Sequence, residues 1–327
     1  MEATSVRSIF EHYSEELKTV DQQLMGIFSS NVFLIPMIGK HILGGGGKRM
    51  RPLFLLLSSD LCGYKETNRS ILAAIIEAIH TASLLHDDVI DGADTRRGNP
   101  AAHAVWGNQV VILVGDFLYS KALKIAVAQR KQRIMEALSE ATTRMTEGEI
   151  LQLHKIGDPE ITQEEYFEIV AAKTGVLMSA ACRIGAILAN QPEQREMALA
   201  RFGMKTGMAF QLTDDILDYV ASPKDLGKKL GKDLEEGKIT MPLLYLLKTA
   251  SDAEQDEIRA IVKERAGGNS GLHRMMELFS KYHARDESLK TAASLVEEAK
   301  AELDLFPASA QKDALLSMAD YAVQRKE

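Results

Sequence analysis

The stretch Glu77-Ala78-Ile79-His80-Thr81-Ala82-Ser83-Leu84-Leu85-His86-Asp87-Asp88-Val89-Ile90-Asp91 decides how the chain is read. It holds no glycine or proline and is apolar until it closes on a carboxylate pattern, so it reads as a helix running from about Thr67 to Asp91. Helical spacing places residues i and i+4 on one face. Asp87 therefore faces with Asp91, and His80 lies two turns earlier on the same side. The pattern recurs as Asp214-Asp215-Ile216-Leu217-Asp218 after Phe210-Gln211-Leu212. One such claw reads as a solvated helix end about as readily as a site. Two of them, both beside apolar residues where unpaired carboxylates are costly to bury, read as a site.

Outward from the claws the chain stays helical in character. Proline is sparse, no alternating strand pattern is sustained, and no Asn-Gly hairpin signal occurs. Helices are expected over Ser5–Leu34, Pro52–Leu61, Thr67–Asp91, Val110–Val127, Arg133–His154, Gln163–Asn190 and Glu193–Val220. Five more are expected over Met241–Leu247, Asp252–Glu264, Gly271–Phe279, Asp286–Leu305 and Ala308–Arg325. Short loops separate them, among them Gly44-Gly45-Gly46-Gly47, Arg96-Arg97-Gly98-Asn99-Pro100 and Ser222-Pro223-Lys224-Asp225-Leu226-Gly227. None resembles a long linker, so residues 1–327 are read as one all-α domain.

The 327 residues carry a formal net charge of -7 and are 46% hydrophobic. That balance argues against a nucleic-acid binder, which needs a basic surface. Cys62 and Cys182 sit among small or apolar residues and read as buried free thiols rather than a disulfide framework. No Cys/His spacing suggests zinc. The N-terminus lacks a signal-peptide core, and the apolar stretch Val110–Val127 is interrupted by Asp116, Lys121 and Lys124, so a cytoplasmic protein without a transmembrane segment is expected.

The basic residues that matter are local. Gly47-Lys48-Arg49-Met50-Arg51-Pro52 leads a glycine-rich loop into a helix, where backbone N–H groups and cationic side chains meet anions. Arg96-Arg97 follows the first claw, and Lys228-Lys229, Lys232 and Lys238 follow the second. Mg²⁺ is usually held by one or two carboxylates plus phosphate oxygens, so claws beside such clusters suggest a metal-bridged diphosphate site. His80, His86-Asp87 and a distant Asp also mimic the pattern of helical phosphohydrolases, a reading that leaves the second claw and the basic clusters unexplained. His86 is expected to pack behind the claw rather than ligate metal.

These residues resemble the trans-isoprenyl diphosphate synthases of the bacterial long-chain polyprenyl (octaprenyl-like) type. The resemblance runs from Gly46-Gly47-Lys48-Arg49-Met50-Arg51-Pro52 through Glu77–Asp88, Arg96-Arg97-Gly98, Gly115-Asp116-Phe117-Leu118 and Lys173-Thr174-Gly175. It ends at Phe210–Asp218 and Gly231–Pro242. It implies a bundle of long helices around a deep central cavity, and Mg²⁺-dependent condensation of isopentenyl diphosphate with an allylic diphosphate such as farnesyl or geranyl diphosphate. By the resemblance Asp87, Asp91 and Asp214 bind Mg²⁺, with Asp88 and Asp218 supporting, and Asp215 joins them among the catalytic residues. Arg96, Lys173, Gln211 and Lys228 hold the allylic diphosphate, Lys228 and Lys229 being interchangeable. Lys48, Arg51, His80 and Arg97 hold isopentenyl diphosphate. Thr174 lies near the developing carbocation, and Lys238 closes the site. Ala82 and Ser83, one turn before the first claw, are small where an aromatic side chain stops elongation early in the family; both favour a long product. Leu123, Ala126 and Val127 are candidates for the tunnel floor. A homodimer is expected, with Val110–Val127 a contributor. Geranylgeranyl or farnesyl synthesis, a terpene cyclase and a non-catalytic partner subunit are the alternatives.

Overall fold

The computed structural model describes residues 5–219, 231–264 and 269–324. Lys228, Lys229, the loop at 222–227, Gly267, Gly268 and Arg325 lie outside the described residues. The all-α reading holds: apart from one two-residue ladder, the regular structure among the described residues is helical. The chain forms two compact units. One takes Met1–Thr142, Leu177–Ala200 and Leu305–Ser317; the other takes Thr143–Val176, Arg201–Asp304 and Met318–Glu327.

The first unit is organised by α5, Arg69–Ile90, the helix of the opening stretch. Buried positions follow one another from Leu72 to Ala82 with few gaps, as expected of a helix enclosed on most sides. It packs on α2 (Ser14–Ile27), α4 (Met50–Leu61) and α7 (Asn108–Ala128). The single helix expected over Ser5–Leu34 is in fact α1 (Val6–His12) and α2, and a helix that was not expected, α3 (Leu34–Gly44), follows after a turn. Tertiary bonding breaks the expected helix. Tyr13 leaves helical geometry at φ -90°, ψ 7°, and its hydroxyl donates to Asp60 Oδ2 at 2.6 Å. Asp60 in turn accepts from Arg69 at 2.6 Å, and Arg69 also reaches Glu16 at 2.6 Å. A buried arginine with three oxygen partners thus ties the N-terminal helices to the start of α5.

The loop Arg96–Pro100 is a small hairpin, Thr95–Arg96 against Asn99–Pro100. Arg97 (φ 51°) and Gly98 (φ 78°) form its turn, both left-handed as in a type I′ connection. An Arg-Gly pair lacks the usual Asn-Gly signal, which is why sequence showed only a loop. Helix α6, Ala102–Trp106, was likewise not expected.

In the second unit, Gln163–Asn190 proves to be α9 (Gln163–Val170), a π-helical turn (Ala171–Gly175) and α10 (Val176–Leu188). Thr162 and Glu165 form a reciprocal capping box at its start. Among the described residues, Gln163–Leu188 rather than Val110–Val127 is long and apolar enough to cross a membrane; 78% of its window is buried in the protein, as in a core helix. Helices α8 (Gln132–Lys155) and α11 (Glu193–Leu217) contribute residues to both units. Tyr166, Leu212, Tyr219, Leu243, Leu246 and Met275 belong to the core of the second unit. Met241–Thr249 there packs along Ala284–Glu302.

Candidate active site

The first claw ends α5. The Asp91 amide donates to the Asp87 carbonyl at 2.8 Å, so helical geometry persists through the motif and the two carboxylates share a face. Asp88 points elsewhere. It is buried and accepts both Arg96 Nε bonds, at 2.8 and 2.7 Å, with Arg96 Nη2 at 2.7 Å. The middle aspartate therefore holds the hairpin arginine in place beside the claw, a fork-to-fork bond of fixed direction. His86 also turns away. Its Nε2 lies 3.1 Å from the Ile112 carbonyl, and its ring stacks on Tyr119. Gly115 makes room for it: a Cβ there would lie 2.3 Å from Nε2. That is the packing role expected of His86.

Of the cations assigned to isopentenyl diphosphate, Arg51 and Arg97 lie close enough to act on His80. This half-buried imidazole is held well below its ordinary pKa, first by desolvation and then by Arg51, Arg96, Arg97 and Arg49. It is neutral at physiological pH and offers a hydrogen bond rather than a charge. Lys48 is exposed and Arg51 half-buried on the loop and first turn of α4. A cavity beside them is lined by Arg49, Glu77, Thr81, Asp88, Arg96 and Arg97. Ala82 is fully buried, while Ser83 is half-buried and donates to the His80 carbonyl at 2.9 Å. Among the floor candidates on α7, Ala126 is buried, Leu123 half-buried, and Val127 is 59% exposed, which removes Val127.

The second claw ends α11. The Asp218 amide donates to the Asp214 carbonyl at 3.0 Å, so the same face geometry recurs. Asp214 is exposed and Asp218 half-buried. Asp218 Oδ2 accepts from the Asp233 amide at 3.0 Å, and its carbonyl accepts from Gly231 N. Asp215 is again the buried middle member. Tyr166 donates to one of its oxygens at 2.6 Å and Gln211 Nε2 to the other at 2.8 Å. Gln211 Oε1 accepts from the Thr174 hydroxyl at 2.8 Å. Burial, then Asp214 and Asp218, pushes the Asp215 carboxyl up to about 7, against the two hydrogen bonds.

Lys173 and Thr174 stand on the π-helical turn, whose extra residue is a frequent device at functional sites. Lys173 Nζ reaches Glu149 at 2.8 Å and Gln152 at 2.7 Å. Lys238 pairs with Glu236 at 2.5 Å. Gln152, Tyr166, Lys173, Gln211, Asp215 and Lys238 line one cavity. Sequence reasoning missed Tyr166, Glu149, Gln152 and Asp233. The first had a signal: it lies seven residues before Lys173, two helical turns on the same side. Gly148-Glu149 with Gln152 carried a weaker one at i, i+3 spacing.

The donor set fits a hard divalent cation. Each claw supplies two carboxylates on one helix face. Among the described residues no three His, Cys, Asp or Glu side chains converge as a preformed cage. Phosphate oxygens complete such a coordination shell, as is usual for Mg²⁺.

Comparison with known proteins agrees with this chemistry. Residues 34–279 match the polyprenyl synthetase family. The octaprenyl diphosphate synthase of Escherichia coli (strain K12) is 37% identical, over 98% of this chain and 99% of its own length. The geranyl-diphosphate-specific all-trans-nonaprenyl-diphosphate synthase of Rhodobacter capsulatus is 38% identical, over 98% of each. A polyprenyl synthase from Caulobacter crescentus CB15, solved with calcium and isoprenyl diphosphate, superposes with a TM-score of 0.94 at 37% identity, covering 100% of both chains. Paired claws, clustered cations and full-length similarity lead to one conclusion: the chain belongs to the polyprenyl synthetase family and is a prenyltransferase that makes long-chain polyprenyl diphosphates.

Proposed function

We propose that this chain, as a single synthase domain, condenses isopentenyl diphosphate with an allylic diphosphate, head to tail, into an all-trans product of octaprenyl-like length for quinone side chains. The observation that carries the reading is the repeated claw design: two aspartates one turn apart on a helix face, and a buried middle Asp that fixes a neighbouring polar group.

Mg²⁺, held by Asp87, Asp91 and Asp214, would supply charge neutralisation for the departing diphosphate. Arg96, Lys173, Gln211 and Lys228 hold the allylic diphosphate, while Lys48, Arg51, His80 and Arg97 hold isopentenyl diphosphate. Arg96, Lys173 and Lys228 stabilise the negative charge that builds on the allylic leaving group as its C–O bond ionises. Thr174 commits its proton to Gln211, which leaves its oxygen lone pairs for the allylic cation. The isopentenyl double bond attacks, and the released diphosphate takes the proton, since no protein base stands out. The apolar walls keep water from the cation.

The chain works as a homodimer in the cytoplasm in this reading. Ile112 (40% exposed), Leu113 (66%) and Val127 (59%) present apolar surface on α7 in support of a second copy. Purified protein with Mg²⁺, farnesyl diphosphate and labelled isopentenyl diphosphate should yield long apolar products. No incorporation by the chain alone would favour a partner-subunit role, and free phosphate without elongation would favour hydrolysis. Ala82→Phe should shorten the product; an unchanged distribution would sink the gatekeeper role of this position.

A further inference from the structure

Arg49 sits between Lys48 and Arg51, yet the structure gives it different work. It caps α4 in the left-handed region, at φ 50° and ψ 41°, a conformation that costs a non-glycine residue free energy and marks an imposed geometry. Its side chain is only 9% exposed and is spoken for: Nε donates to Asp21 at 2.6 Å and Nη1 to Glu77 at 3.2 Å. Glu77, on α5, is itself buried. A Cβ on Gly47 would lie 2.6 Å from Arg49 Nη1 and 2.8 Å from Arg97 Nη1. Two guanidinium groups, one from the loop that carries Lys48 and one from the hairpin, therefore fill the space a side chain at Gly47 would need.

Like charges gathered this closely repel, and the desolvation of each adds to the cost. Glu77 answers both. Burial raises its carboxyl pKa, while Arg49, Arg51 and Arg97 act in the opposite direction. Arg97 is in turn disfavoured as a cation by burial, Arg96 and Arg49, and favoured by Glu77. Glu77 thus bonds Arg49 directly and lies within Coulombic reach of Arg51 and Arg97, which converge from α4 and the hairpin.

We propose that Arg49 and Glu77 are positioning residues that set the affinity for the homoallylic diphosphate without touching it. Glu77 draws the arginines together, and Arg49 fills the space beside Gly47 so that Lys48, Arg51 and Arg97 present their charges to one ligand. The inference rests on the assignment of those three residues to isopentenyl diphosphate.

Calorimetric binding needs no turnover and separates the two ideas. The full-length wild type, Glu77→Gln, and the double variant Glu77→Gln/Arg49→Met would be titrated with isopentenyl diphosphate and, separately, with a non-hydrolysable allylic diphosphate analogue and Mg²⁺. The double variant removes both charges and keeps the test valid if the single change leaves Arg49 uncompensated and the fold damaged. The expected result is about tenfold weaker isopentenyl diphosphate binding in both variants, with analogue binding within about twofold of wild type. Wild-type affinity for isopentenyl diphosphate in both variants would overturn the proposal. Equal losses for both ligands, in step with thermal unfolding, would also overturn it by showing a merely structural pair. A wild type that binds no isopentenyl diphosphate would instead overturn the substrate assignment beneath it.

Discussion

Asp214 and Asp215 are neighbours in sequence and opposites in environment. The first is exposed; the second is buried with both oxygens bonded, to Tyr166 and to Gln211. The difference predicts separable phenotypes. Asp214→Asn should raise the Mg²⁺ concentration needed for half-maximal turnover. Asp215→Asn should leave that requirement near wild type and lower kcat by about 10²-fold, the scale of a lost electrostatic contact in a site, because Gln211 and Thr174 lose their orientation. Equal shifts in Mg²⁺ requirement would refute the division. The sequence shows four carboxylates in two Asp-Asp pairs but not which member of each pair is buried. That depends on partners 49 residues away for Asp215 and eight away, across a turn, for Asp88.

At the scale of elements, the α5–α7 contact is keyed by one glycine. A Cβ at Gly115 would meet His86 Nε2 at 2.3 Å and Cδ2 at 2.7 Å. Gly115→Ala should therefore destabilise the protein by about 1–3 kcal/mol, the usual penalty for overpacking, and His86→Ala in the same chain should recover part of it in thermal unfolding. A second element contact responds to pH. Glu254 joins Asp252–Lys263 to Asn269–Lys281 by accepting from Lys281 at 2.7 Å and Tyr282 at 2.5 Å, and bonds from Lys281, Tyr282 and Ser251 hold its carboxyl down to about 2. A carboxyl with a folded pKa below its unfolded value contributes stability above the ordinary 4.5 that is lost as pH falls towards 2. Glu254→Gln should lower the thermal midpoint at pH 7, and the gap to wild type should close between pH 4.5 and 2. The helices themselves were legible from periodicity, with ends within a few residues. The exceptions were the break at Tyr13, where a distant bond intervenes, the unexpected helices Leu34–Gly44, Ala102–Trp106 and Lys232–Glu235, the hairpin turn at Arg97-Gly98, and the π-helical turn under Lys173, where a regular helix fits the sequence equally well.

For the whole molecule, the claws predict a metal needed for chemistry and not for folding. Chelation by EDTA should abolish product formation and leave the unfolding midpoint within a degree or so, since among the described residues no three-ligand cage cross-links the helices. A large fall in the midpoint would show a structural ion. What the sequence determined by itself was the kind of protein: long helices from periodicity and scarce proline, and diphosphate chemistry from carboxylates and cations at helical spacing, because these depend on local geometry alone. What only the tertiary structure decided was the work of each member. It buried Asp88 and Asp215 against polar partners, packed His86 against Gly115 and Tyr119, and paired Arg49 with Asp21 and Glu77. Burial, and hydrogen bonds closed between residues far apart in the chain, set those roles, and neither is written in the spacing of a motif.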